Sequence, residues 1–238
     1  MEAATLALIN RERGARRPVV IVTDIVSGAQ RVILHDAMEP DVLASEPLAQ
    51  DVVRLLRANQ SGIVEKADAR YFIKIFAPLA RLVIVGAVHI SQVLAPMARM
   101  LDYDAVIIDP RTSFATKERF PNVEVLAQWP DEAFATMPLD AYTALVSLTH
   151  DPKIDDEALR HGLASTCFYI GALGSRKTHA RRVTRLADAG MSEAQIARIH
   201  APVGLDIGAI SPAEIALAIM AQITQTLRGT KIRRGETL

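Results

Sequence analysis

Short, continuous apolar runs separated by helix-patterned stretches constrain this chain more than any other feature. Leu82-Val83-Ile84-Val85, Ala105-Val106-Ile107-Ile108-Asp109, Ala144-Leu145-Val146-Ser147-Leu148 and Cys167 to Ile170 do not alternate apolar with polar residues. That is the pattern of parallel strands covered on both faces. Residues 123–126 add a short strand, and helical spacing fills 91–101, 131–135 and 155–164. Strands alternating with helices imply right-handed crossovers and a doubly wound α/β sheet. In such sheets ligands sit beyond the C-terminal ends of the strands.

The first 78 residues have another texture. Helical spacing over 1–10 ends in a basic cluster, Arg11, Arg13, Arg16 and Arg17. A β-branched strand over 19–26 is followed by the turn Ser27-Gly28-Ala29 and a return strand over 31–34. An amphipathic helix over 47–59 and a hairpin of 63–66 with 70–76 complete a small ββαββ module closing at Pro78. It carries no chemical motif. The expected domains are 1–78 and 79–238, the second with a C-terminal helical segment. In that segment a capping box at Ser192 opens a helix to His200, and a Gly/Pro loop follows over 201–208. Ser211-Pro212-Ala213-Glu214 then starts a long helix to Leu227, and the tail from Arg228 reads as frayed. The apolar face of that helix serves either a homodimer interface or domain packing.

Charge and cysteine content exclude several function classes. Twenty-seven basic residues balance 27 acidic ones, so no whole-protein field recruits nucleic acid or an acidic membrane. The balance is local, however: 176–185 holds five cations and no acid, and 231–234 adds three cations. One cysteine permits neither an internal disulfide nor a cysteine-built metal site. With no signal pattern and no 18-residue apolar run, a cytoplasmic protein is expected.

Two glycine turns are the candidate ligand sites. Gly86-Ala87-Val88-His89-Ile90-Ser91 follows a strand and opens a helix, with Asp109 at the end of the next strand, the context of a dinucleotide-binding Rossmann-like fold. Of the GxGxxG pattern only Gly86 is kept. Val88 stands where a side chain obstructs a pyrophosphate, and Ser91 is small enough for close helix–strand packing. NAD(P) is thus one reading, and a scaffold with altered ligand geometry the other. The second turn, Gly171-Ala172-Leu173-Gly174-Ser175-Arg176, leads into a basic helix containing His179. It is either an anion cradle at an electropositive helix start or a backbone necessity. Asp109 and Arg111 are candidates for a ribose or its phosphate, and Thr149-His150-Asp151 for ligand binding or proton transfer at a strand end. His89, His179 and His200 show no HxH or HxxxH pairing, so no histidine metal site is expected. Cys167 reads as a buried structural cysteine mid-strand, and Asp206 as a turn former. No GxSxG or P-loop occurs.

The segments 82–91, Asp109-Pro110-Arg111, Phe114-Ala115 to Arg119-Phe120-Pro121, Trp129-Pro130-Asp131-Glu132, 148–152, 169–182 and 199–219 together resemble the XdhC-type family. These are accessory proteins of xanthine dehydrogenase and other molybdenum hydroxylases. The most specific part is Gly-Ala-Leu-Gly-Ser-Arg followed by Thr-His-Ala, then His-Ala-Pro-Val-Gly-Leu-Asp-Ile-Gly-Ala and Ser-Pro-Ala-Glu-Ile-Ala. The resemblance implies a chaperone that holds the molybdenum cofactor, as the mono- or dinucleotide pterin. It also implies that the chaperone promotes sulfuration by a cysteine desulfurase and delivers the cofactor to a molybdenum hydroxylase apoenzyme. Two departures stand out: no Ser-Gly-Gly-Cys-Val-Glu-like segment is present, and Gly86-Ala87-Val88 replaces the family's Gly-Ala-Gly. On this reading the anionic groups lie between the Gly86 turn and the 171–176 turn, with Arg176 as charge partner and Asp109 as ribose partner. The rivals are an NAD(P)-dependent oxidoreductase using His150 or His179, and a partner-docking module with no small ligand.

Overall fold

The computed structural model describes residues 3–38, 48–66 and 69–229; the start of the 47–59 helix, the turn at 67–68 and the basic residues of 231–234 lie outside them. The chain forms two compact units, Met1–Pro78 and Leu79–Leu238.

In the first unit, α1 (Ala3–Gly14) precedes β1 (Val19–Asp24) and β2 (Gln30–Leu34). Then come α2 (Ala49–Ala58), β3 (Gly62–Lys66) and β4 (Ala69–Phe76). The four strands form one antiparallel sheet, ordered β2-β1-β4-β3. Val20 and Val22 pack toward α2, while Val19 and Ile21 meet Ile9 of α1. The central strand is therefore covered on both faces, which is why β1 reads as an unbroken apolar run. Helix α1 outruns the apolar spacing that marks it in the sequence. It continues through Arg11 and Arg13 because Glu12 is drawn inward and gripped by arginines. Arg17 donates from Nε and Nη2 to the Glu12 carboxylate at 2.6 and 3.0 Å, and Arg11 Nε donates at 3.1 Å.

That grip has a pH signature. The Arg17 guanidinium, against the cost of burial and helped by Arg11, lowers the Glu12 carboxyl from 4.5 to about 2. A depressed folded-state value means the stabilisation is complete above the unfolded value and is lost as pH falls from 4.5 to about 2. In acid unfolding followed by circular dichroism, wild type and Glu12→Gln should therefore differ at pH 6 and converge toward pH 2. Parallel curves across that window would refute the assignment.

The second unit runs β5 (Arg81–Val85), α3 (His89–Met100), β6 (Asp104–Ile108), β7 (Glu124–Leu126), α4 (Pro130–Thr136), β8 (Thr143–Ser147) and α5 (Pro152–Ala164). It ends with β9 (Tyr169–Ala172), α6 (Arg176–Asp188), the one-turn α7 (Glu193–Ile196), β10 (Ile199–His200) and α8 (Pro212–Arg228). Six parallel strands are ordered β10-β9-β8-β5-β6-β7, a Rossmann-like sheet. Alternate residues of its strands face α3 and α8 on one side and α4, α5 and α6 on the other. No described helix is long and apolar enough to cross a membrane.

Several boundaries differ from the sequence reading. Residues 192–200 do not form one helix: α7 stops at Ile196, and Ile199 and His200 add a sixth strand against Ile170 and Gly171. Two residues are too few to show any periodicity. Helix α5 begins at Pro152, not Asp155, because Asp151 accepts the Lys153 N–H at 3.0 Å and proline occupies the first helical position. Strand β9 begins at Tyr169, so Cys167 lies just before the strand rather than within it. It is buried, and burial pushes its thiol up.

Candidate functional site

The Gly86 turn is tied inward. Gly86 has φ +115, and a Cβ there would lie 2.9 Å from Thr149 Cγ2. Ser91, fully buried, donates from Oγ to the Gly86 carbonyl at 2.5 Å. The Ala87 N–H donates to Asp109 Oδ2 at 2.7 Å, and Arg119 Nη1 donates to the Ala87 carbonyl at 2.8 Å. Val88 occupies the N-cap of α3 without a side-chain hydrogen bond, and His89 is exposed beside it.

Asp109 is the centre of this cluster and is wholly buried. Besides the Ala87 N–H it accepts the Arg111 backbone N–H at 3.0 Å, Nε at 2.9 Å and Nη2 at 2.7 Å. Burial alone would push its carboxyl up. The Arg111 guanidinium and the two backbone N–H groups outweigh burial and hold it below the usual carboxylate range. The expected ribose role therefore meets a carboxylate whose oxygens are already taken. It occupies the backbone donor that a dinucleotide pyrophosphate would need. Arg111 is likewise committed, with its guanidinium 4.6 Å from the ring centre of Phe114.

At the end of β8, Thr149 donates from its hydroxyl to Asp155 Oδ1 at 2.6 Å, and its N–H donates to the same oxygen at 3.2 Å. Asp151 is spent capping α5, so it forms no dyad with His150, which is exposed at φ 65.

The second turn is tighter than its two glycines indicate. Gly171 lies inside β9, where a Cβ would meet Val203 Cγ2 at 2.6 Å and the Tyr169 ring at 2.9 Å. It is there for close packing; only Gly174, at φ +129, makes the turn. Ser175 then caps α6, accepting the Thr178 N–H at 3.2 Å. His179 is half-buried; its Nδ1 is buried without a hydrogen-bond partner, and burial, with Arg182 nearby, pushes the imidazole down.

Arg176 opens onto a cavity of about 330 Å³. Leu173 and Arg176 form one wall, residues 202–209 the second, and Ile215 and Ala218 of α8 the third. The loop is anchored from below. Gln222 Oε1 accepts the Gly204 N–H at 2.9 Å and the Tyr169 hydroxyl at 2.6 Å, and the Leu205 N–H donates to Ala218 O at 3.1 Å. His200 stacks on Tyr169 with ring centres 4.7 Å apart.

The structure thus divides the expected site. Strand β8 separates β9 from β5; on the β5 side Gly86, Ala87, Ser91, Asp109 and Arg111 form one bonded cluster, with Val88 and His89 beside it at the start of α3. Gly174, Ser175 and Arg176 belong to the other side, where Arg176 shares its cavity with residues 202–209, which the sequence marks as a Gly/Pro loop and not as a binding site. Asp206 is one of them and is exposed within this lining. The signal available for it was the density of glycine and proline just before a capping box. Among the described residues no group of three His, Cys, Asp or Glu side chains is placed to hold a metal ion.

A family model for the XdhC Rossmann domain matches residues 82–223. The chain is 32% identical over 154 residues to the uncharacterized protein YqeB of Escherichia coli K12, covering 65% of this chain and 28% of YqeB. It is 30% identical over 185 residues to the molybdenum cofactor insertion chaperone PaoD of the same organism, covering 78% of this chain and 51% of PaoD. It is also 30% identical over 156 residues to a probable xanthine dehydrogenase subunit of Bacillus subtilis 168, covering 65% of this chain and 45% of that protein. The chain spans about half or less of the length of these relatives. A crystal structure described as a xanthine dehydrogenase from Bacillus halodurans shares the fold, with TM-score 0.65 and 24% identity over 98% of this chain and 66% of that one. The family match begins in β5, takes in both glycine turns and the 202–209 loop, and ends within α8: the chain belongs to the XdhC family.

Proposed function

We propose that this protein is an accessory factor in the maturation of a molybdenum hydroxylase, holding the molybdenum cofactor as cargo and passing it to the apoenzyme. The observation that carries the reading is the cavity of about 330 Å³ beside Arg176, at the C-terminal end of β9. Its volume falls within the range of small-molecule sites, and it pairs apolar walls with an exposed guanidinium. A flat pterin suits walls such as Leu173, Val203 and Ile215, and its phosphate, alone or in the dinucleotide form, suits Arg176. The names of two relatives, one a cofactor insertion chaperone and one a xanthine dehydrogenase subunit, agree with such cargo. The Gly86 turn fits a pyrophosphate poorly, since Asp109 already takes the Ala87 N–H. Sulfur for the cofactor is assigned to a partner desulfurase, because the only cysteine is buried with its thiol pushed up.

Protein purified from a cofactor-producing host should release pterin detectable by mass analysis. Arg176→Ala should carry roughly tenfold less, the scale of one charge-assisted hydrogen bond. Undiminished loading would sink the placement at Arg176. Loss of all pterin from wild type, with a hydroxylase still co-purifying, would favour the docking-module reading instead.

A further inference from the structure

On the α4–α5–α6 side of the sheet lies a second cavity, of about 220 Å³. His150, Asp155, Thr178, Arg181, Arg182 and Arg185 line it. The space is several times the roughly 30 Å³ share of one liquid water.

Arg182 is the unusual member. Its side chain is only 2% exposed, yet it is far from satisfied. Nη2 donates to the Leu173 carbonyl at 2.9 Å and lies 4.0 Å from Asp155 Oδ2. Nε and Nη1 are buried and have no hydrogen-bond partner. A guanidinium does not escape this by losing its proton, so two buried donors on a permanent cation await an acceptor.

The nearby acids do not supply one. Asp155 Oδ1 accepts from the Ser147 hydroxyl and from both the N–H and the hydroxyl of Thr149. Asp156 is held by Arg185, which donates from Nε and Nη2. Arg181 is exposed and makes no ion pair among the described residues. The cavity therefore keeps an excess of positive charge after its acids are counted.

We propose that this cavity is an anion site that takes the phosphate group of a small phosphorylated ligand, with Arg182 as its buried anchor and Arg181 at its exposed side. A tetrahedral phosphate offers oxygens in enough directions to meet both arginines at once; a planar carboxylate with two oxygens does not. The site shares no lining residue with the Arg176 cavity and does not depend on the cofactor reading.

The test is calorimetric titration of the full chain with inorganic phosphate at constant ionic strength, with acetate as comparison. Saturable phosphate binding is expected, with acetate weaker. Arg182→Met should weaken phosphate binding roughly tenfold or more and Arg181→Ala about threefold, the scale expected of charge-assisted contacts in buried and exposed settings. Arg176→Ala, which alters only the other cavity, should weaken phosphate binding less than Arg182→Met does, which separates the two sites. The proposal is overturned if wild type shows no saturable phosphate binding, or if the arginine most needed is Arg176. It is also overturned if affinity survives both Arg182→Met and Arg181→Ala. Should Arg182→Met fail to fold by far-UV circular dichroism, the exposed Arg181→Ala decides alone.

Discussion

Gly86→Ala should destabilise the Leu79–Leu238 unit by about 2–4 kcal/mol, combining left-handed backbone strain with overpacking. Both causes are visible. Gly86 sits at φ +115, and an added Cβ would lie 2.9 Å from Thr149 Cγ2, 3.2 Å from the Thr149 nitrogen and 3.3 Å from the Leu148 carbonyl carbon. The last two are backbone atoms of the neighbouring strand end and cannot swing aside. Gly190→Ala is the control, because it shares positive φ, at +87, but has nothing within 4 Å of the new Cβ. Its cost should be strain alone, on the order of 1 kcal/mol. Denaturant unfolding measures both, and equal losses would show that the approach of β5 to β8 is not what requires this glycine.

Asp109→Ala should cost about 3–4 kcal/mol, since it strips a buried N–H of its acceptor and an arginine of its charge partner. The carboxylate is fully buried and links the Ala87 N–H to Arg111. Its removal frees the two elements that hold the Gly86 turn against the loop after β6. The near-isosteric Asp109→Asn gives the pH test. Because the folded Asp109 value lies below the usual carboxylate range, its stabilisation is complete above an unfolded value of about 3.9 and fades as pH falls through the folded value. The gap between wild type and Asp109→Asn should stay constant from neutral pH to about 5 and shrink below 4. A gap that persists unchanged at pH 3 would mean that hydrogen-bond geometry, not ionisation, carries the effect.

These two residues also show how far the sequence could be read. Gly86 and Asp109 were recognisable as a strand-end glycine and the acid closing the next strand, because that spacing follows from one βαβ unit. What Asp109 does was not recognisable. A ribose-binding acid and an acid locked to Arg111 have the same residue type at the same spacing; only the burial and the four hydrogen bonds tell them apart. Gly171 makes the same point from the other direction. Its sequence neighbours mark it as a turn former, whereas the atoms that exclude a side chain there include Val203, 32 positions further along the chain.

The sequence by itself determined the α/β class, the parallel strands of the second unit and most of the helices. Apolar runs and capping residues are local signals, and local signals survive in one dimension. Tertiary structure alone decided which strand ends become neighbours. It brought Arg176 against the 202–209 loop, set β8 between the two glycine turns, and left Arg182 buried with two donors unspent. Those outcomes depend on strand order and on contacts between residues far apart in the chain, and no periodicity records them.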